Sequence, residues 1–375
     1  MIQVRLLRLS GLLLLGLSRA AAQDIPVYPP PAPLDTAGAG RSDAQTFANS
    51  QVVGMGPSKG LIVKYERIPG NFSLKSTVVG DYSLLGPNAV KVPDYNTTVS
   101  KNANLVIKAY APLLNHPHLK LILGLNYDRQ EFQFSTPATT DQYGLYSNIE
   151  NKGLSVIGAQ LAVIRPVDAV HWYLFRTKTE LNGDYNSDEL SVSDYLKVTS
   201  EFIYGWKRSS TFAWGLGVQL GYNLGRQSIY PVLVYNRSFN PRWGVEALFP
   251  ARVLVRRNVS PTSLLFAGYE VASNNYNLKL RNAFASPNNP KVTSLELRQI
   301  DLKFRLRYEH ELLSFLWTGI EAGYRYNYQF NAFDRTNSTR DRLIDSQLGG
   351  TPYASLDLFI VPPKKLLQKA ERSRK

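Results

Sequence analysis

The residues best placed to do chemistry lie in Ile300 to Glu309, IDLKFRLRYE. Asp301, Lys303, Arg305, Arg307 and Glu309 alternate with Ile300, Leu302, Phe304, Leu306 and Tyr308. At a period of two, all five charges share one face of a β-strand. The next segment, 315–331, puts Glu321 and Arg325 on a common face with Gly319, Gly323 and Asn327. A hairpin pairing Asp301 with Arg325 and Arg305 with Glu321 would set opposite charges directly across from each other. Such an array can do two things: select ions in a pore, or fill a space as a salt-bridge ladder. The sequence leaves both open.

Other chemistry is thinly represented. His116-Pro117-His118 could bind a metal, yet no carboxylate lies beside it, and no metal site is expected. With no cysteine in the chain, disulfide frameworks and thiolate metal sites are excluded. Glycine-rich phosphate loops, paired acids at sugar-hydrolysis spacing and calcium loops are not evident, and no cofactor is expected. A hydrolase triad needs Ser, His and an acid brought together. The four histidines, at 116, 118, 171 and 310, all fall near short connections.

The elements that must position these charges are strands. Thr211 to Asn223 reads TFAWGLGVQLGYN, with Phe212, Trp214, Leu216, Val218, Leu220 and Tyr222 alternating with small or polar residues. In 119–127, Leu119, Leu121, Leu123, Leu125 and Tyr127 alternate with Lys120, Gly124 and Asn126. In 243–255 an apolar row from Trp243 to Val255 alternates with Glu246 and Arg252. The candidate strands are 60–67 continuing irregularly through 72–80, 99–111, 118–134, 151–164, 169–182, 195–207 and 211–225. They continue with 229–238, 242–256, 262–271, 275–283, 294–309, 315–331 and 350–361. That makes fourteen, or twelve if 262–283 is one long bent strand and the first segment lies outside the sheet. Short connections (114–118, 165–168, 207–210, 239–242, 310–314) alternate with longer polar ones around 82–98, 135–150, 183–194 and 332–349. Short turns at one end and long loops at the other are the pattern of a transmembrane β-barrel, with the short side periplasmic.

No stretch of 18 consecutive apolar residues is present, so no helix is expected to span a membrane. A mean hydropathy of -0.22 suits a membrane protein only if lipid-facing residues alternate with polar ones. Trp172, Trp206, Trp214, Trp243 and Trp317 all lie near short turns, as an interfacial girdle requires. Met1 to Ala22 has a basic start, a short apolar run and Ala20-Ala21-Ala22, which predicts a cleaved signal peptide. Residues 23–57 read as a flexible periplasmic lead-in, 58–361 as the barrel, and 362–375 as a basic periplasmic tail. The net charge is +14, but Arg5, Arg8 and Arg19 belong to the signal segment and six basic residues to the tail. No nucleic-acid motif accompanies that charge, so no nucleic-acid partner is expected. The tail could contact lipid headgroups, another polyanion or a periplasmic partner.

Three stretches carry a family resemblance: SKGLIVKYERIPG (58–70), NANLVIKAYAPLLNHPHLKLILGLNY (102–127) and VYNRSFNPRWGVEALFPARVLVRRNVSP (234–261). The chain resembles the Gram-negative outer-membrane β-barrels of unassigned function. The resemblance implies a closed antiparallel barrel in the bacterial cell outer membrane, and it brings no ligand or active residue with it. It also implies outer-membrane lipids and the barrel-insertion machinery as partners. The chain ends in a charged tail rather than an aromatic residue, so that machinery would read an internal signal. The expectation is a narrow, porin-like passive channel for ions or small polar solutes, and not an enzyme. Its lumen would be lined by Lys120, Arg252, Asp301, Lys303, Arg305, Arg307, Glu321 and Arg325. The alternatives are a filled barrel that binds a partner, an outer-leaflet enzyme, or a soluble exported β-sandwich.

Overall fold

The computed structural model describes residues 59–80, 91–116, 118–186, 190–222, 227–286, 289–336 and 340–361. The signal, lead-in and tail expected at 1–22, 23–57 and 362–375 lie outside the described residues. The strands are β1 (Leu61–Ile68), β2 (Phe72–Val78), β3 (Tyr95–His116), β4 (Leu119–Phe134), β5 (Leu154–Pro166) and β6 (His171–Gly183). Next come β7 (Leu196–Ser209), β8 (Phe212–Gly221), β9 (Ser228–Ser238), β10 (Trp243–Phe249) and β11 (Arg252–Ser260). The series ends with β12 (Ser263–Ser286), β13 (Asn289–Leu313), β14 (Leu316–Asp334), β15 (Arg342–Leu348) and β16 (Thr351–Ile360). Two helices, α1 (Gly144–Lys152) and α2 (Val192–Tyr195), sit in the connections after β4 and β6.

Sequential strands pair antiparallel, and the two ends of the chain meet to close the sheet. β1 pairs with β16, and β2 with β15. Since β3 runs beside both β1 and β2, these two are halves of one broken strand. β15 and β16 likewise share one position beside β14. The result is a closed ring of fourteen antiparallel positions. The break in the first strand has a local cause: a Cβ on Gly70 would lie 1.9 Å from the Ser100 carbonyl oxygen. Only glycine permits that approach.

The count of fourteen is right, but three of its segments are divided differently. The segment 242–256 is a hairpin, β10 and β11, turning at 249–251. Pro250 sits in the turn itself, where its missing N–H costs no ladder hydrogen bond. The turn hides because Leu248 pairs with Arg252, which keeps odd-numbered residues outward on both arms. The segments 262–271 and 275–283 are one strand, β12, of 24 residues. The wall is therefore uneven: β10 and β11 have 7 and 9 residues, whereas β12 and β13 have 24 and 25.

The inward faces form layers. At the short-turn end Ile122, Ile164, Trp172, Leu174, Ile203 and Val234 make one apolar cluster. Leu254, Phe266, Trp317 and Phe359 make another. A charged middle layer follows. Above it, at the long-loop end, a larger apolar core contains Phe72, Leu74, Phe132, Leu297, Phe330 and Ile344. Bulges mark this upper change. The β3–β4 register shifts between Val99 and Lys101, and the β13–β14 register between Ile300 and Asp301. One extra residue turns the next side chains to the other face. Helix α1 seats Leu145, Tyr146 and Ile149 in this core. Burying Leu145 and Ile149 contributes about 2 kcal/mol each. The Tyr146 hydroxyl lies 2.5 Å from Ser76 Oγ and 2.7 Å from Ser346 Oγ, and burial pushes its pKa up.

Candidate functional site

Outward side chains settle what the wall touches. Leu216, Phe304, Leu306, Ile320, Leu356 and Leu358 are exposed on strands whose other face is buried. Further up β4 the outward row turns polar at Arg129, Glu131 and Gln133. Trp206 and Trp214 stack at 4.4 Å near the short turns, and Trp243 is exposed at the same end. These three face outward. Trp172 and Trp317, 2% and 5% exposed, do not. They point inward with Leu174 and Phe359 and help fill the short-turn end. Tyr324, Tyr326 and Tyr328 are exposed near the upper end of β14 and form the start of a second aromatic belt. A closed ring with an apolar belt between aromatic rims is a transmembrane β-barrel of the outer-membrane type.

On the side of the lumen formed by β11 to β14, β16 and β1, the charges are locked together. Arg307 reaches Glu309 at 2.7 Å, Asp357 at 2.5 Å and Glu321 at 3.5 Å. Arg305 pairs with Glu270 and lies 3.1 Å from Glu321. Lys303 binds Glu66 at 2.5 Å, and Lys64 bridges Glu66 and Glu321. Lys59 joins Glu309 at 2.5 Å. Arg252 faces Glu270 in the register. Asp301 accepts from Gln299 at 2.7 Å and from Asn327 at 2.8 Å.

The expected hairpin register is corrected by two residues: Asp301 lies opposite Asn327, Lys303 opposite Arg325, and Arg307 opposite Glu321. An extra residue at Leu312 moves the turn to Ser314 and Phe315, beyond the 310–314 turn that the sequence suggested. Arg305 still meets Glu321, but diagonally. Arg325, 1% exposed, has no hydrogen-bond partner among the described residues and lies over the Phe72 ring at 4.9 Å. Lys120 is buried near the short turn of β4, opposite Asn115 and Ile164. The eight candidates therefore do not form one ring.

Across the lumen, the inward faces of β3 to β8 enclose a polar chamber of about 230 Å³. Its walls include Lys108, Asp128, Arg176, Lys178, Glu180 and Glu201, with Gln219 on β8 and Asn274 on β12. Arg176 pairs with Glu201, and Lys178 with Glu180 at 2.8 Å. The sequence reading passed over these residues. The signal was there: Arg176, Lys178 and Glu180 alternate on one face of a single strand.

The long β12–β13 hairpin divides the upper lumen. Beyond Val271 its free edge crosses to β6, where Asn277 pairs with Gly183. That contact closes a second, smaller ring that omits β7 to β11. One face of the hairpin supplies Tyr276, Leu278, Leu295 and Leu297 to the apolar core. The other carries Asn275, Asn277, Glu296 and Arg298, and Glu296 meets Lys197 on the inward face of β7.

The histidines lie where expected, at the short-turn end. Asp168 accepts from His171 Nδ1 at 2.7 Å and from the backbone N–H groups of Val170 and His171. These donors hold its carboxyl at about 2. Ser263 Oγ lies 2.8 Å from His310 Nδ1. The His310 ring also stacks on Tyr308. No group of three or more potential metal ligands occurs among the described residues.

No family model matches the sequence. No curated protein matches it either. Solved structures do align with it. One is an outer membrane channel from Pseudomonas putida F1, at TM-score 0.36 and 11% identity over 81% of this chain and 97% of that one. A Pseudomonas aeruginosa FadL homologue aligns at TM-score 0.36 and 9% identity, covering 87% and 98%. The Pseudomonas putida toluene transporter TodX aligns at TM-score 0.30 and 8% identity, covering 89% and 98%. Likeness this distant says nothing of what the chain does. The closed ring and its belt define the class by themselves: this is a transmembrane β-barrel of the outer-membrane type.

Proposed function

We propose that the protein is a narrow passive channel for small polar solutes and ions. Its route runs through the chamber on the β3–β8 side, not along the ion-pair network. The observation that carries this reading is the chamber itself, about 230 Å³ of polar space inside a membrane wall. The network opposite is too closely bonded to pass a solute and serves to brace the wall. The expectation that Asp301 to Arg307 and Glu321 line a pore is thereby replaced by Arg176, Lys178, Glu180, Glu201 and Gln219. The apolar layers above and below the chamber make the channel small and gated.

The test is conductance across planar bilayers holding refolded protein. Wild type gives small discrete steps, and Gln219→Trp, which fills the chamber, removes most of the current without unfolding the barrel. Steps that Gln219→Trp leaves unchanged would count against this route.

A second reading keeps the barrel filled and assigns function to its long-loop face. The two apolar layers that cap the chamber favour it. A correctly inserted but silent barrel would establish it. In either case outer-membrane lipids meet the belt and the insertion machinery assembles the ring. The basic tail remains available to a polyanion or periplasmic partner.

A further inference from the structure

The chamber has a neighbour that the channel reading does not by itself explain. Lys197 is the next inward residue above Thr199 on β7, and it lies opposite Glu180 on β6. Thr199 and Glu180 both line the chamber. Lys197 therefore stands at the chamber's upper rim. Facing it is Glu296, on a face of β13 that turns toward lipid lower down at Leu302, Phe304 and Leu306. The crossing of β12 to β6 is what brings that face indoors.

Glu296 is anchored from its own side. Arg298 Nε lies 2.7 Å from its carboxylate and Arg340 Nη1 lies 2.5 Å away. Arg298 is itself stacked on the Phe333 ring at 3.7 Å. The contact to the opposite wall is looser. Lys197 Nζ is 3.6 Å from Glu296, with the Tyr222 ring 4.8 Å away. Beside it, Ser273 Oγ donates to the Tyr222 carbonyl at 3.2 Å. Nearby Asp194 is taken up by Lys279 at 2.6 Å. Three cations thus surround one carboxylate, and the rim carries positive charge.

We propose that small anions pass between the chamber and the long-loop side along this seam. Lys197, Arg298 and Arg340 select them, and the Lys197–Glu296 contact is the latch that closes the seam. The inference rests on the channel reading above. Among the described residues, parting β7–β8 from β12–β13 here breaks the Lys197–Glu296 ion pair and the Ser273–Tyr222 hydrogen bond. The hairpin stays pinned on its other side by Asn277 Nδ2, which donates to the Asp194 carbonyl at 2.5 Å. Charge at such a constriction sets selectivity through the local ion concentration.

The experiment measures reversal potentials in a KCl gradient, using the refolded full chain in planar bilayers. Wild type prefers chloride. Glu296→Gln removes the latch and a negative charge, so conductance rises and the anion preference increases. Lys197→Met lowers that preference by about threefold, the effect of one unit charge roughly 7 Å away in a water-like dielectric. Lys197→Arg restores it. Opposite shifts from the two partners are what a purely structural ion pair would not give. Steps with no anion preference, or variants that leave it unchanged, would overturn the inference alone. A wild-type barrel that is folded by gel mobility yet silent would overturn the channel reading and this inference with it.

Discussion

The two sides of the lumen use the same residue types to opposite ends. On one side, five basic residues (Lys59, Lys64, Lys303, Arg305 and Arg307) meet five acids (Glu66, Glu270, Glu309, Glu321 and Asp357). Several of these groups bridge two or three partners, so the network closes on itself. On the other side the pairs are local, Arg176 with Glu201 and Lys178 with Glu180, and space remains between them. The difference comes from who faces whom. Around β13 and β14, long basic side chains reach acids on β1, β12 and β16 and span the gap. Around β5 to β8 the charged side chains pair with neighbours on the same or a nearby strand, and the chamber lies among them. Charge density alone therefore does not mark open space in the lumen.

The sharpest way to break this contrast is Arg307→Ala. It strands Glu309, Glu321 and Asp357 without their shared cation, in surroundings that are almost fully buried. Breaking a buried pair from one side costs about 3–5 kcal/mol. The expected outcome is a lower urea midpoint on the folded-to-unfolded gel shift, with selectivity per inserted barrel unchanged. A selectivity change at full stability would return the network to the pore.

Gly205→Val tests the short-turn layer. A Cβ there would lie 2.1 Å from the Trp172 ring, so Trp172 must move or the strands must part. Overpacking of this kind costs about 1–3 kcal/mol. An unchanged urea midpoint would show that Trp172 is not packed inside.

The register can be tested without disturbing charge balance elsewhere, because the chain has no cysteine. Cysteines at positions 301 and 327 face each other in the register and are expected to form a disulfide on oxidation. Cysteines at 301 and 325 are not. The reverse result would restore the hairpin that the sequence suggested.

The smallest effect belongs to Asp168. Its pKa in the folded state, about 2, is below the value of about 4 expected in an unfolded chain. Its contribution is therefore complete above about pH 4 and is lost as pH falls toward 2. Asp168→Asn should therefore lower stability slightly at pH 7 and flatten the acid limb of the stability curve, the two proteins converging toward pH 2.

Much of the wall was legible in the sequence, because a lipid-facing strand declares itself by alternation. Leu119 to Tyr127 and Phe212 to Leu220 needed no structure to assign. Alternation fails where it runs on unbroken through a turn, as at Phe249-Pro250-Ala251. It also fails to place tryptophans: Trp172 shares parity with Leu174 and Arg176, and that parity turns it inward. Interior contacts were less legible. The turn at Ser314 and Phe315, with a bulge at Leu312, set the pairs from Asp301 to Glu311 two residues away from the register that the sequence suggested. The bridge from Asn277 to Gly183 joins segments far apart in the chain, and no local pattern announces it. Helix α1 is short and mixed in polarity, and it is a helix because the core around Tyr146 and Ile149 holds it.

Solutes are proposed to pass through the chamber and not through the network. The most direct test is single-channel recording from two variants, Gln219→Cys in the chamber and Ser355→Cys between Glu66 and Glu321 in the network. A small charged thiol reagent is added during recording. The account predicts that modification stops the current through Gln219→Cys and leaves Ser355→Cys unaffected. Block at Ser355→Cys with none at Gln219→Cys would contradict it.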